Sequence, residues 1–104
     1  MKSVMATEDF KRAWRRLTPR MRRIVGRKID LLTVNPGHPS LHVHRLWRAR
    51  GDIRTCYITD TARLVFEIRK GILYLWAIGG HTVEDKVDRR SFSPHASFLP
   101  LDVA

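Results

Sequence analysis

Cysteine is almost missing from this chain. Of 104 residues one is Cys, at position 56, so no intramolecular disulfide can form and no CxxC pair offers a redox or metal site. Long apolar runs are missing too. No stretch approaches the ~20 residues that cross a bilayer, and the start MKSVMATEDF lacks the apolar core of a signal peptide. The expectation is a cytoplasmic protein with no membrane association. Acidic residues are the third shortage: Asp and Glu number 10 against 20 Lys and Arg, for a formal net charge of +10. A small domain this basic repels itself, so the excess needs a reason outside the fold. Nucleic acid is the commonest such reason and an acidic protein partner the next. An anionic membrane surface is a poor third.

What is there suffices for one compact core. Hydrophobic residues make up 43% of the chain, in the globular range, and the length leaves no room for a second core. Residues 8–17 read as a helix, with Phe10, Ala13, Trp14 and Leu17 at i, i+3, i+4 and i+7 and Thr7 as N-cap. Thr18-Pro19 interrupts the pattern and restarts it, since Pro suits a first helical position. A second helix then runs over about 19–34 on Met21, Ile24, Val25, Ile29 and Leu32, until Asn35-Pro36-Gly37 ends it. The two form an α-hairpin. A polar, basic loop over 38–51 follows, anchored by Leu41, Val43, Leu46 and Trp47.

Three strands come next, over 53–59, 63–69 and 72–78, joined by the turn-like Asp60-Thr61 and Lys70-Gly71. The third is apolar on both faces, as a central strand would be, and residues 2–7 are candidates for a fourth. Cys56 alternates with apolar neighbours and reads as core filler, not a nucleophile. The predicted class is α+β: an N-terminal α-hairpin on a small antiparallel sheet of three to four strands. It forms one domain over 1–90, followed by a tail over 91–104 that is either disordered or laid across the body.

The local strings NPGHPSLHVHRL, ITDTARLVFEI and ILYLWAIGGHTVED resemble segments of the RelE/ParE toxin superfamily, in particular the branches whose last strand ends on Gly-x-His. Together with the element order they cover about residues 7–87. The resemblance implies the toxin of a type II toxin–antitoxin system, an endoribonuclease that cuts mRNA on the ribosome and needs neither metal nor cofactor. It also implies an acidic antitoxin as partner, alongside mRNA and ribosomal RNA. Such cleavage uses the 2′-OH of the RNA as nucleophile. The protein then supplies a proton acceptor, positive charge at the phosphate and an acid for the 5′-oxygen.

Site residues follow from that chemistry. His81, at the end of the last strand, matches the family's strand-end His and titrates near neutrality; the bland alternative is a surface His. Arg63 matches the family's strand Arg and is suited to clamp the phosphate; alternatively it pairs with Asp60 or Glu67. Arg54 is expected to face the same site and bind phosphate, unless a register slip turns it away. Arg48 and Arg50 form a basic patch around Trp47. His38, His42, His44 and His95 have no Cys or carboxylate cluster beside them, so no metal site is expected. Where relatives carry an acidic residue after the His and an aromatic further on, this chain has Thr82 and Asp85. Ala62 likewise replaces the aromatic that precedes the strand Arg. Glu84, Asp85 and Tyr57 are therefore auxiliary candidates. The same departures keep alternatives open: a catalytically inactive binding module, or a gyrase-targeting protein of the ParE type.

Overall fold

The computed structural model describes residues 4–46, 52–80, 83 and 98–100. Strand β1 (Val4–Thr7) runs straight into helix α1 (Glu8–Arg16). Thr7 makes the switch: its Oγ1 accepts the Phe10 N–H at 3.1 Å and donates to the Trp76 carbonyl at 2.7 Å, capping the helix and tying it to the sheet. After Leu17, Thr18 caps helix α2 (Pro19–Val34) by accepting the Met21 N–H at 3.2 Å. Arg22 closes the break between the helices. It donates from Nε to the Trp14 carbonyl at 3.2 Å and from Nη2 to the Arg15 carbonyl at 2.8 Å, acceptors that a helix end leaves open.

The sheet is wider than the expected three to four strands. Beyond β1 it holds β2 (His44–Arg45), β3 (Arg54–Tyr57), β4 (Arg63–Arg69), β5 (Ile72–Gly79) and β6 (Phe98–Pro100), in the order β2-β3-β4-β5-β1-β6. Only the β1–β5 pairing is parallel. The extra strands are the short edges β2 and β6, whose sequences carry no alternating pattern long enough to read. Strand β6 puts residues 98–100 of the predicted tail antiparallel to β1. Strand β3 stops two residues before the predicted end because Thr59 folds back: its Oγ1 accepts the Ala62 N–H at 3.1 Å, and Ile58 N–H reaches the Ala62 carbonyl at 2.9 Å. The β4–β5 turn has φ of 49° at Lys70 and 77° at Gly71, the mirror-image turn that suits the twist of a two-residue hairpin.

One face of the sheet meets the helices. Phe10, Val25, Ile29 and Leu32 bury there against Cys56, Leu64, Phe66, Leu73, Leu75 and Ile78. A smaller cluster of Leu46, Ile53, Val65 and Val83, flanked by Trp76 and Ala77, covers part of the other face. A bulge in β5 changes which residues go where. Val65 pairs with Ala77 but Phe66 pairs with Leu75, leaving Trp76 as the extra residue. Without it, Gly79 would share a face with Leu73 and Leu75; with it, Ile78 joins the helix-side core and Gly79 turns to the opposite face.

Candidate active site

On the face away from the helices, one row of residues crosses the sheet. Tyr57 on β3 pairs with Arg63 on β4, which pairs with Gly79 on β5, so all three positions share a side. The Arg63 guanidinium carbon sits 3.7 Å from the centre of the Tyr57 ring, well within cation–π range. Strand β2 borders β3 on its other side, and the chain entering it brings His42 to 5.3 Å from Tyr57, ring centre to ring centre, with the planes 35° apart. Tyr57 is thus held between a guanidinium and an imidazole, yet it stays 37% exposed. His44 meets the same ring edge-on at 6.3 Å.

Arg63 itself is only 5% exposed. Its Nη1 donates to the carbonyls of Thr59 and Asp60 at 3.1 Å and of Ala62 at 3.2 Å, so one end of the fork fastens the β3–β4 loop. Burying a cation among fixed carbonyls and an aromatic face keeps it in one orientation. The strand end on the far side of Arg63 turns sharply, with Val83 N–H donating to the Gly80 carbonyl at 3.0 Å. His81 and Thr82 fall between those two residues and lie outside the described residues, as do Arg48, Arg50, Glu84 and Asp85.

Two histidines carry opposite tautomers. His44 Nδ1 stands 3.2 Å from the His42 carbonyl, an oxygen that can only accept, so this nitrogen bears the proton and Nε2 is the acceptor in the neutral ring. His38 Nδ1 instead accepts the Ser40 N–H at 3.1 Å and lies 2.7 Å from the Ser40 hydroxyl, which leaves the proton on Nε2. His38 caps the short turn Pro39–Leu41, and His42 ends it in the left-handed region at φ 49°. Neither His42 nor His44 stands out in the sequence, where i, i+2 spacing in a basic loop is poor metal evidence. The i, i+2 spacing gives no strand signal either, because His42 lies in the left-handed turn before β2 and only His44 is on the strand.

Arg54 does not join the row. Its register partner is Phe66, and Cys56 two residues on is buried in the helix-side core, so alternation turns Arg54 to the opposite face from Arg63. There it forms a two-pronged ion pair with Asp52, both contacts at 3.2 Å, and lines a shallow groove with Pro36, Gly37, His38, Pro39, His42 and Val43. Cys56 is buried, and desolvation pushes its thiol from the ordinary 9.0 to about 12, against a small opposing pull from Lys28. A thiol in that state is not a nucleophile near neutral pH. Among the described residues no group of three or more His, Cys, Asp or Glu side chains could hold a metal ion.

No family model and no curated protein matches this sequence. Solved structures do. A metal-bound toxin from Helicobacter pylori is 20% identical with a TM-score of 0.66, over 80% of this chain and 98% of that one. The E. coli DinJ-YafQ complex matches at 17% identity and 0.63, over 80% and 97%. The intact E. coli RelBE toxin-antitoxin complex matches at 16% and 0.53, over 77% and 96%. At such identities the likeness is one of fold: this chain has the α+β fold of the RelE- and YafQ-like toxins, in agreement with its local strings.

Proposed function

We propose that this protein is the toxin of a type II toxin–antitoxin system and a metal-independent endoribonuclease that cleaves mRNA, acting at the ribosome. The observation that carries the reading is the Tyr57–Arg63 stack, set beside the strand end that leads into His81, in a fold shared with such toxins. In the proposed reaction the 2′-oxygen of the RNA attacks the adjacent phosphorus and loses its proton to a base. The P–O5′ bond breaks, and the leaving 5′-oxygen takes a proton, giving a 2′,3′-cyclic phosphate and a 5′-hydroxyl. His81 is the group we assign to proton transfer, with Tyr57, 37% exposed, as the auxiliary. Arg63 supplies fixed positive charge where the pentavalent phosphate gains a negative one. Arg48 and Arg50 are assigned to flanking phosphates and Glu84 and Asp85 to support of His81. Arg54, turned to the other face, is left for a more distant phosphate. The partner that restrains the toxin is an acidic antitoxin, a reading supported by the net charge of +10 and by the two complexes among the similar structures.

A second reading has one observation in its favour. Arg63 is nearly buried and bonded to its own loop, as a purely structural arginine would be, which suits an inactive or gyrase-targeting binding protein. Expression in cells with mapping of mRNA 5′ ends separates the two. The active reading expects growth arrest with new cuts that disappear in an His81→Ala, Tyr57→Phe double variant. Arrest with intact mRNA, or no arrest at all, rejects it.

A further inference from the structure

The outward side of the helices carries charge that no other described residue pairs with. On α2, Arg20, Arg23 and Arg27 fall within an arc of about 60° and along about 10 Å of the axis, given ~100° and 1.5 Å per residue. Arg16, the last residue of α1, adds a fourth cation next to the break. All four are exposed, and among the described residues none has a hydrogen-bond or ion-pair partner. Their neighbours differ: Arg12 pairs with Asp9, and Arg22 is spent on the carbonyls that end α1. Like charges at i, i+3 and i+4 oppose the helix that carries them. Asp30, exposed one turn beyond Arg27, is the only acid on α2.

The chemistry of this face selects its occupant. A stable protein partner needs apolar anchors at the centre of the contact. The exposed large hydrophobics among the described residues are Val34, at the far end of α2, and Tyr57, on the other side of the sheet. The stripe therefore offers a protein no anchor. Single-stranded RNA binding relies on aromatic platforms for unstacked bases, and the stripe has no aromatic side chain. What remains complementary is a rigid line of phosphates, which arginine forks grip bidentately. We propose that Arg16, Arg20, Arg23 and Arg27 form a docking face for the phosphate backbone of double-stranded RNA. The face is distinct from the Tyr57–Arg63 row, because Val25, Ile29 and Leu32 hold α2 against the opposite side of the sheet. The inference rests on the RNA-partner part of the proposed function but not on cleavage.

The test is a salt titration. The full chain is titrated against a labelled, blunt-ended RNA duplex of about 20 base pairs, and the slope of log K on log salt is read by fluorescence anisotropy. Each charge–phosphate contact contributes about 0.9 to that slope. The quadruple Arg→Gln variant at 16, 20, 23 and 27 should flatten it by about 3.6. It should also bind at least tenfold more weakly near 0.1 M salt, while the quadruple Arg→Lys variant keeps most of the slope and so excludes misfolding. An His81→Ala, Tyr57→Phe variant should bind the duplex like the parent, so failed cleavage and failed docking are told apart. An unchanged slope in the Gln variant overturns the proposal. So does equal loss of binding to polyglutamate, which would make the face a site for acidic protein, or tighter binding to a single strand of the same length.

Discussion

Arg63 joins stability to the candidate chemistry, and replacing it by Lys separates the two. Its Nη1 serves three main-chain carbonyls at 3.1–3.2 Å, while its guanidinium carbon lies 3.7 Å over the Tyr57 ring. One nitrogen has two hydrogens, so the three contacts count as about two bonds, each worth roughly 1.5–3 kcal/mol from a charged donor. An ammonium on a flexible stem recovers about one of them and loses the planar stack. The expected cost of Arg63→Lys is about 2–3 kcal/mol. At the 4–8 °C per kcal/mol usual for a domain of this size, Tm should fall by about 10–20 °C. The stack itself is isolated by a double-mutant cycle with Tyr57→Leu, read by urea unfolding. Tyr57 is partly exposed, so the coupling should be about 0.5–1 kcal/mol. If Arg63→Lys costs under about 0.5 kcal/mol, the β3–β4 loop does not depend on the fork and Arg63 is not the clasp that holds it.

Three further outcomes follow from the same structure. Because burial raises the Cys56 thiol to about 12, the folded protein keeps that proton while the unfolded chain loses it above about 9. Stability should be unaffected below pH 9 and should fall by up to ~1.4 kcal/mol per pH unit between 9 and 12, a slope that a Cys56→Val variant lacks in chemical denaturation. Thr7→Ala removes both the α1 cap and the bond to the Trp76 carbonyl. It should cost about 1.5–2.5 kcal/mol, more than the ~1 kcal/mol of Thr18→Ala, which loses a cap alone; unfolding midpoints compare them. Gly71→Ala forces a side chain into φ 77° and should cost about 1 kcal/mol, visible as a lower midpoint with an unchanged m-value.

Much of this fold is written in short-range patterns. The helices announce themselves through Thr7 and Thr18, whose side chains do the capping locally, and through Pro19 at the first position of α2, and β4 and β5 through apolar alternation and the Lys70-Gly71 turn. What the sequence hides depends on partners far along the chain. The pair His44–Arg45 becomes a strand only because Thr55 and Arg54 offer an edge, and residues 98–100 only because β1 does. Trp76 gives no sign that it is a bulge, yet it decides which face Gly79 takes. The orientation of Arg54 is legible after all. Reading Cys56 as core already assigns Arg54, two residues earlier on the same strand, to the core-facing side. His42 and His44 are conspicuous only as poor metal ligands. Their place beside Tyr57 depends on the β2–β3 register, which no local pattern encodes.

Gly79 and Gly80 make the candidate site testable without touching a polar group. Neither has a positive φ, so the backbone does not demand glycine at either position. A methyl group at Gly79 would sit 3.4 Å from Val83 Cβ, and one at Gly80 would sit 3.7 Å from the Thr61 carbonyl oxygen; both are ordinary contacts. Replacing both with Ala narrows the unfolded ensemble and should leave the protein as stable or up to about 1 kcal/mol more so. If this strand end is where RNA approaches the backbone next to Arg63, the same change should impair cleavage while unfolding midpoints hold or rise. Stability and activity would then move in opposite directions, which mere structural damage cannot produce. A Gly79→Ala, Gly80→Ala variant that cuts mRNA at the parental rate would mean that no substrate comes close to this edge, and the site would have to be sought elsewhere on the molecule.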